Sequence, residues 1–217
     1  MSSLTVNPTS NYLREDTATS NYNGNSAIWA FDYAGYRCYG LLKCDMTSLP
    51  AGATVSAATL GLYWYGNYDG SPVGRTFNVC KVRRSDWSES QSTWNLFKTS
   101  NNWGTAGALN TSTDIDTSTA VGSVVPASFG WMTWSTLSLV NDAITNTGKI
   151  LNLKLYDSVE NSTDAGCKFY SIHNGSLIPY LTLTYTASGW SGTVEGTVNP
   201  AAYIGSLVAN ISKINGT

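Results

Sequence analysis

Alternation with a period of two is the strongest constraint in this chain. Across residues 56–65, Ala58, Leu60, Leu62 and Trp64 fall on one side of an extended backbone, and Thr59, Tyr63 and Tyr65 fall on the other. Successive side chains of a strand point to opposite faces, so this pattern predicts a strand that closes one face over a core. Residues 150–156 repeat it, with Leu151, Leu153 and Leu155 set against Asn152, Lys154 and Tyr156. Residues 180–185 set Leu181, Leu183 and Tyr185 against Thr182 and Thr184. Shorter strands are expected at 12–15, 28–31, 39–43, 77–82, 131–134 and 167–172, separated by turn sequences such as Asn23-Gly24, Pro50-Ala51-Gly52, Asp69-Gly70 and Asn174-Gly175. One segment keeps another period. Leu137, Val140, Asn141 and Ile144 recur at i, i+3, i+4 and i+7, which predicts a short amphipathic helix over 138–146 that ends at Thr147-Gly148. Many strands and one short helix predict an all-β fold, an antiparallel two-sheet β-sandwich.

Composition narrows the function. Charged residues make up 12% of the 217, the net charge is -2, and Arg83-Arg84 is the one basic pair. Phosphate binding needs several clustered Lys or Arg, which argues against a nucleic-acid partner. No apolar run approaches the roughly 20 residues of a membrane span, so no membrane partner is expected. The opening residues, MSSLTVNPTSNYLRED, have neither a charged start nor an apolar core and do not read as a secretory leader. Cys38, Cys44, Cys80 and Cys167 form no C-x-x-C, and His173 is the single histidine, so the ligand spacing of a zinc site is missing. The cysteines read as buried thiols on strands, with a Cys38–Cys44 disulfide left open for an exported chain. Any Ser-His or Cys-His mechanism would have to use His173, and no G-x-S-x-G elbow accompanies it. His173 reads as a structural turn residue, and no enzymatic activity is expected.

Two stretches carry a family resemblance. Residues 41–65 run LLKCDMTSLPAGATVSAATLGLYWY, and residues 79–95 run VCKVRRSDWSESQSTWN, with Trp87, Glu89, Thr93, Trp94 and Asn95 in a W-x-E-x-x-x-TWN pattern. Together they resemble a family of extracellular β-sandwich modules named for a DNRLRE-type motif, some of which are classed as carbohydrate-binding modules. Leu13, Arg14 and Glu15 match the tail of the name-giving motif, and IPYLTLTYT at 178–186 is similar to the family's closing strand. The resemblance covers about residues 7–185 and implies a jelly-roll connectivity with a short helix before a strand. Asp86-Trp-Ser-Glu89 has capping-box spacing, Thr93 and Asn95 can bond the same turn, and Trp94 is expected to plug one end of the sandwich. The signature therefore reads as a folding device. Arg14 and Glu15 suggest a strand-end ion pair. Residues 96–130 are long for a plain connection, which predicts a functional loop or extra short strands.

Binding candidates follow from residue chemistry. Trp29, Trp64, Trp94, Trp131 and Trp134 sit in strand patterns and read as core, whereas Tyr36, Tyr65, Tyr68, Trp103 and Trp190 fall at strand ends or in loops. Aromatic rings pack on the C–H faces of sugars and also favour protein interfaces. Arg14, with Lys43 or Arg75, could hold a saccharide carboxylate. No cofactor is expected except that Asp157, Glu160 and Asp164 share one polar loop of the kind that can hold Ca²⁺, without EF-hand spacing.

Residues 1–187 are expected to form the sandwich, and 188–217 a linker and docking extension. Within the extension, NPAAYIGSLVANISKINGT resembles short tails of phage and prophage structural proteins. Tyr203, Ile204, Leu207, Val208, Ile211 and Ile214 are too apolar to stay solvated alone, so they need a partner surface or the flank of their own domain. The first expectation is a non-catalytic virion-exterior protein of a bacterial virus, a capsid decoration or tail-fibre module that is an oligomer on the particle. It would be tethered to other virion proteins by the extension, with surface polysaccharide as a second contact. The alternative is a carbohydrate-binding or adhesion module of a secreted bacterial protein.

Overall fold

The computed structural model describes residues 1–33, 36–159 and 165–187. In chain order the strands are β1 (Ser2–Val6), β2 (Thr9–Arg14), β3 (Ala27–Tyr33), β4 (Tyr36–Asp45), β5 (Thr54–Asp69), β6 (Thr76–Val82), β7 (Leu96–Lys98), β8 (Asn101–Asn102), β9 (Ile115–Val124) and β10 (Gly130–Ser135). They continue through helix α1 (Leu137–Asn146), β11 (Ile150–Asp157), β12 (Ala165–Tyr170), a 3₁₀ turn at Ile172–Asn174, and β13 (Tyr180–Thr186). All the strand pairings are antiparallel. The all-β sandwich expected from alternation is therefore the fold observed.

β5 organises the front half. One of its edges pairs with β13 and then β12, and the other pairs with β10. β1 adds to the outside of β13 with Ser2 opposite Tyr185. β12 continues to β3, which pairs with β4. β4 then carries β2 on one side and β11 on the other, and β6 and β9 follow. One continuous sheet thus curls until its front and back halves share a core. Leu60, Leu62 and Trp64 of β5 sit in that core with Leu42, Phe77, Leu151, Leu153 and Leu155 of the back half. Trp134 ties the halves together, because its indole N–H donates to the Phe77 carbonyl at 2.8 Å. Helix α1 runs from Leu137, one residue before the expected start, and buries Leu139, Val140 and Ala143 beside β5 and β11.

The back half is buried on both faces. Its outward residues Leu13, Tyr39, Leu41, Cys80 and Val82 form a second core with Trp87, Trp94, Phe97, Trp103, Ala108 and Ile115. The segment from Asp86 to Asp114 is therefore a cover, and the extra short strands expected within 96–130 are present as β7 and β8. Trp94 plugs this outer face and not an end of the sandwich. It stacks on Tyr39 with centroids 5.5 Å apart, and its ring presses on Gly107, where a Cβ would stand 2.6 Å from it. Gly107 also has φ +79°, so both backbone and space require glycine there. Trp87 donates to Asn152 Oδ1 at 2.8 Å, and Trp103 donates to the Thr93 carbonyl at 3.0 Å. The Asp114 carboxylate is fully buried and accepts from the backbone N–H groups of Gly104 (2.8 Å) and Thr105 (3.0 Å). Lys154, on the face read as polar, is only 1% exposed. Its ammonium lies 3.8 Å from the Tyr39 centroid and donates to the Gly107 and Ala108 carbonyls at 3.0 Å each. Those bonds offset the cost of burying its charge.

Several local expectations change. No helix follows Asp86, so the capping-box spacing builds a turn instead. In that turn Ser92 N–H donates to the Ser88 carbonyl at 2.8 Å, and Leu96 N–H donates to Thr93 Oγ1 at 3.1 Å. Arg14 pairs with Asp16 (2.7 Å) and Glu15 with Arg37 (2.7 Å), not with each other. All four cysteines are free and buried. Cys38 and Cys44 lie six residues apart on β4, roughly 20 Å along an extended strand, beyond the reach of a disulfide. Burial pushes the Cys44 and Cys80 thiols up to about 12 and raises Cys38 and Cys167 as well. A thiol-reactive dye should therefore label none of the four in the native protein at neutral pH and all four after unfolding; rapid native labelling would contradict this packing. Trp94→Ala should cost about 3–5 kcal/mol in denaturant unfolding.

Candidate functional site

Where β5 meets β12 and β3, half-buried aromatic side chains gather on the face opposite Trp64 and Phe169. Alternation first sends Tyr63 outward and Trp64 inward. The register with β12 then shifts, since Phe169 pairs with Trp64 and Lys168 pairs with Gly66. The extra residue on β5 is Tyr65. This bulge flips the parity, so Gly66 and Tyr68 share the outer side with Lys168. Neighbouring strands bring Trp29 opposite Lys168 and Phe31 opposite Gly166.

The rings collect around two cations. Tyr68 stacks on buried Phe31 with centroids 3.9 Å apart and leans on Tyr36 at 5.7 Å and Trp29 at 5.8 Å. Tyr12 stacks between Tyr22 (4.4 Å) and Trp29 (5.7 Å). The Arg14 guanidinium lies 5.1 Å from the Trp29 ring, 5.3 Å from Tyr36 and 5.7 Å from Tyr22. It is held in place by a fork onto Asp16, at 3.0 and 2.7 Å, and by a bond to the Tyr36 hydroxyl. The Lys168 ammonium lies 4.9 Å from the Trp29 ring and 5.7 Å from Tyr68. Among the described residues Lys168 has no carboxylate partner. With Asp16 offsetting Arg14, the cluster keeps an excess of positive charge. Trp29, Tyr36, Tyr68, Arg14 and Lys168 are all half-buried, so they are fixed by packing yet still meet solvent.

Of the residues singled out from sequence, Arg14, Tyr36 and Tyr68 come together here. Tyr65 adjoins them along β5, stacking on Tyr170 at 4.2 Å. Trp103 does not join, being 4% exposed and packed in the second core. Lys43 is occupied by the Trp87 carbonyl (2.8 Å) and Glu89 (3.6 Å). Arg75 is occupied by Asp157 (2.9 Å) and the Ala165 carbonyl (2.6 Å). The Arg75 pair also engages the one described member of the calcium trio; Glu160 and Asp164 lie outside the described residues. So do Trp190 and the apolar set Tyr203, Ile204, Leu207, Val208, Ile211 and Ile214. His173 lies in the 3₁₀ turn, where its backbone N–H donates to Ser171 Oγ at 3.0 Å.

Sequence reasoning missed Tyr22, Trp29 and Lys168. A signal for two of them was present. Trp29 lies out of phase with Ile28 and Ala30, and Lys168 with Cys167 and Phe169, so strict alternation places both outside.

Residues 3–185 match carbohydrate-binding module family 96. The chain belongs to this family. No match was found among curated proteins.

Burial, followed by the bond with Tyr68, lifts the Tyr36 hydroxyl above its ordinary value; burial and the nearby Tyr170 do the same for Tyr65. The folded state holds these protons more tightly than the unfolded chain. Stability should therefore be unaffected by them at neutral pH and fall as pH climbs past about 10, where unfolded tyrosine ionises. Spectroscopic titration of native tyrosines, with melting followed over the same range, checks this; native titration of every tyrosine at the ordinary value would contradict it.

Proposed function

We propose that this protein is a non-catalytic, extracellular polysaccharide-binding module, and that it holds its ligand on the Trp29–Tyr36–Tyr68 cluster beside Arg14 and Lys168. The observation that carries the reading is the meeting of half-exposed rings and two cations on the outer face, in a chain that belongs to a carbohydrate-binding family. The faces of pyranose rings are rich in C–H groups, which are attracted to aromatic rings. Their hydroxyls and any carboxylates suit the amine and guanidinium at the rim. A ring cluster pre-shaped by packing loses little freedom on binding.

Nothing comparable supports the virion-exterior reading, which rests on the resemblance of residues 188–217 to phage tails. The two separate in one experiment: removing 188–217 should leave polysaccharide binding intact, whereas a particle tether would be lost with it.

Affinity electrophoresis through gels holding pectate, xylan or mannan should show retardation by at least one polymer. Trp29→Ala should weaken that binding tenfold or more, at least about 1.4 kcal/mol. Lys168→Ala should weaken it a few-fold, about 0.5–1 kcal/mol. Unretarded migration in every gel, or retardation indifferent to both substitutions, would refute the assignment.

A further inference from the structure

Beyond the cation-flanked cluster, the same outer face continues as a row of rings that the site above does not use. Tyr65 stacks on Tyr170, Tyr170 on Tyr63 (5.8 Å), Tyr63 meets Trp131 edge-on (5.4 Å), and Trp131 leans on Tyr180 (4.9 Å). They come from β5, β10, β12 and β13, each brought outward by register: Trp131 opposite Tyr63, and Tyr180 opposite Gly61.

Tyr180 is the informative member. A Cβ added to Gly61 would stand 2.3 Å from its ring. The Cβ direction at Gly61 is the outward normal of the sheet. The ring therefore lies across the strand, in the space a side chain would occupy, and is half-buried there. Trp131 beside it is 40% exposed, an uncommon state for so large an apolar group. The outward residues around these two rings are Thr59, Thr133 and Thr182, so this end is uncharged and offers hydroxyls. From Gly61 to Tyr68, seven strand steps span roughly 23 Å.

We infer that the ligand is an extended polysaccharide chain lying along β5, with an uncharged subsite on Trp131 and Tyr180 continuous with the cationic one at Trp29, Arg14 and Lys168. The inference rests on the polysaccharide-binding reading and adds its direction, its length and a second subsite. Continuity argues for one occupant, since Tyr65 stacks on Tyr170 and the bulge at Tyr65 leads directly to Gly66 and Tyr68, which share a side with Lys168. A chain end bound at the cluster alone would gain nothing from rings this far along the strand. A polymer running through would gain a stacking contact at each successive sugar.

Calorimetry with galacturonate, xylose and mannose oligomers, from disaccharide to hexasaccharide, tests this on the full chain. For at least one series, affinity should rise steeply with length up to the longest oligomers. In Trp131→Ala the gain from trisaccharide to hexasaccharide should shrink about tenfold. Gly61→Ala keeps every ring but tips Tyr180 off the sheet, and it should flatten the same rise. An unchanged length dependence in both variants overturns the inference while leaving the cluster assignment standing. Absence of binding to every oligomer of the three series overturns the inference together with the reading beneath it. Sedimentation that reveals a dimer dissolved by Trp131→Ala would assign this face to a second copy of the chain and also overturn it.

Discussion

The sixteen residues of β5 face two environments at once, and pairing along both edges keeps them from slipping. A shift of one residue would turn Leu62 and Trp64 to water and drive Tyr63 into the core. The pairing with β10, β12 and β13 therefore fixes the core and the outer rings by one set of hydrogen bonds. The bulge at Tyr65 extends this control. It breaks strict alternation where the sheet begins to turn toward β3, and it moves Tyr68 to the side that holds Trp29 and Lys168. A strand without that extra residue would send Tyr68 inward and leave the cations without their central ring.

The two outer faces of the curled sheet have different fates. Behind β4, β11 and β6, the segment from Asp86 to Asp114 closes a second core and draws Lys154 out of water. A long, polar cover can do this because Asp114 gathers its backbone N–H groups from inside. In front of β5, β10, β12 and β13 the described residues place no such cover. The W-x-E-x-x-x-TWN stretch thus serves the sealed side, with Trp87 and Trp94 as plugs. The proposed binding face lies on the other side, on residues outside that stretch.

Much of the fold was legible in the chain. The inward sets on β5, β11 and β13 follow directly from alternation, and α1 follows from its 3.6-residue period. The identity of what covers a strand was not legible. Period two says that Lys154 and Leu153 point opposite ways, but not that residues distant in sequence will bury Lys154. For the same reason Trp103, in a segment rich in Asn and Gly, read as open when it packs against Phe97. Tryptophans in strands misled in the other direction. Trp29 and Trp131 read as core because most large rings are, yet their phase relative to Ile28 and Met132 places them outside. The site itself draws Arg14 from β2, Tyr36 from β4 and Tyr68 from β5, strands far apart in sequence that come alongside only through the pairing order of the sheet, which runs from Tyr68 through Gly166, Phe31 and Cys38 to Arg14.

The β1–β13 ladder begins with Ser2 opposite Tyr185, so the backbone enters and leaves the sandwich side by side. A pull applied between those two points would load one rung at a time, as on a zip fastener, and not the whole ladder in shear. Under tension the module would peel from that border inward, while β10 and the stretch of β5 that bears Tyr63 lie on the far side of β13 from the tug.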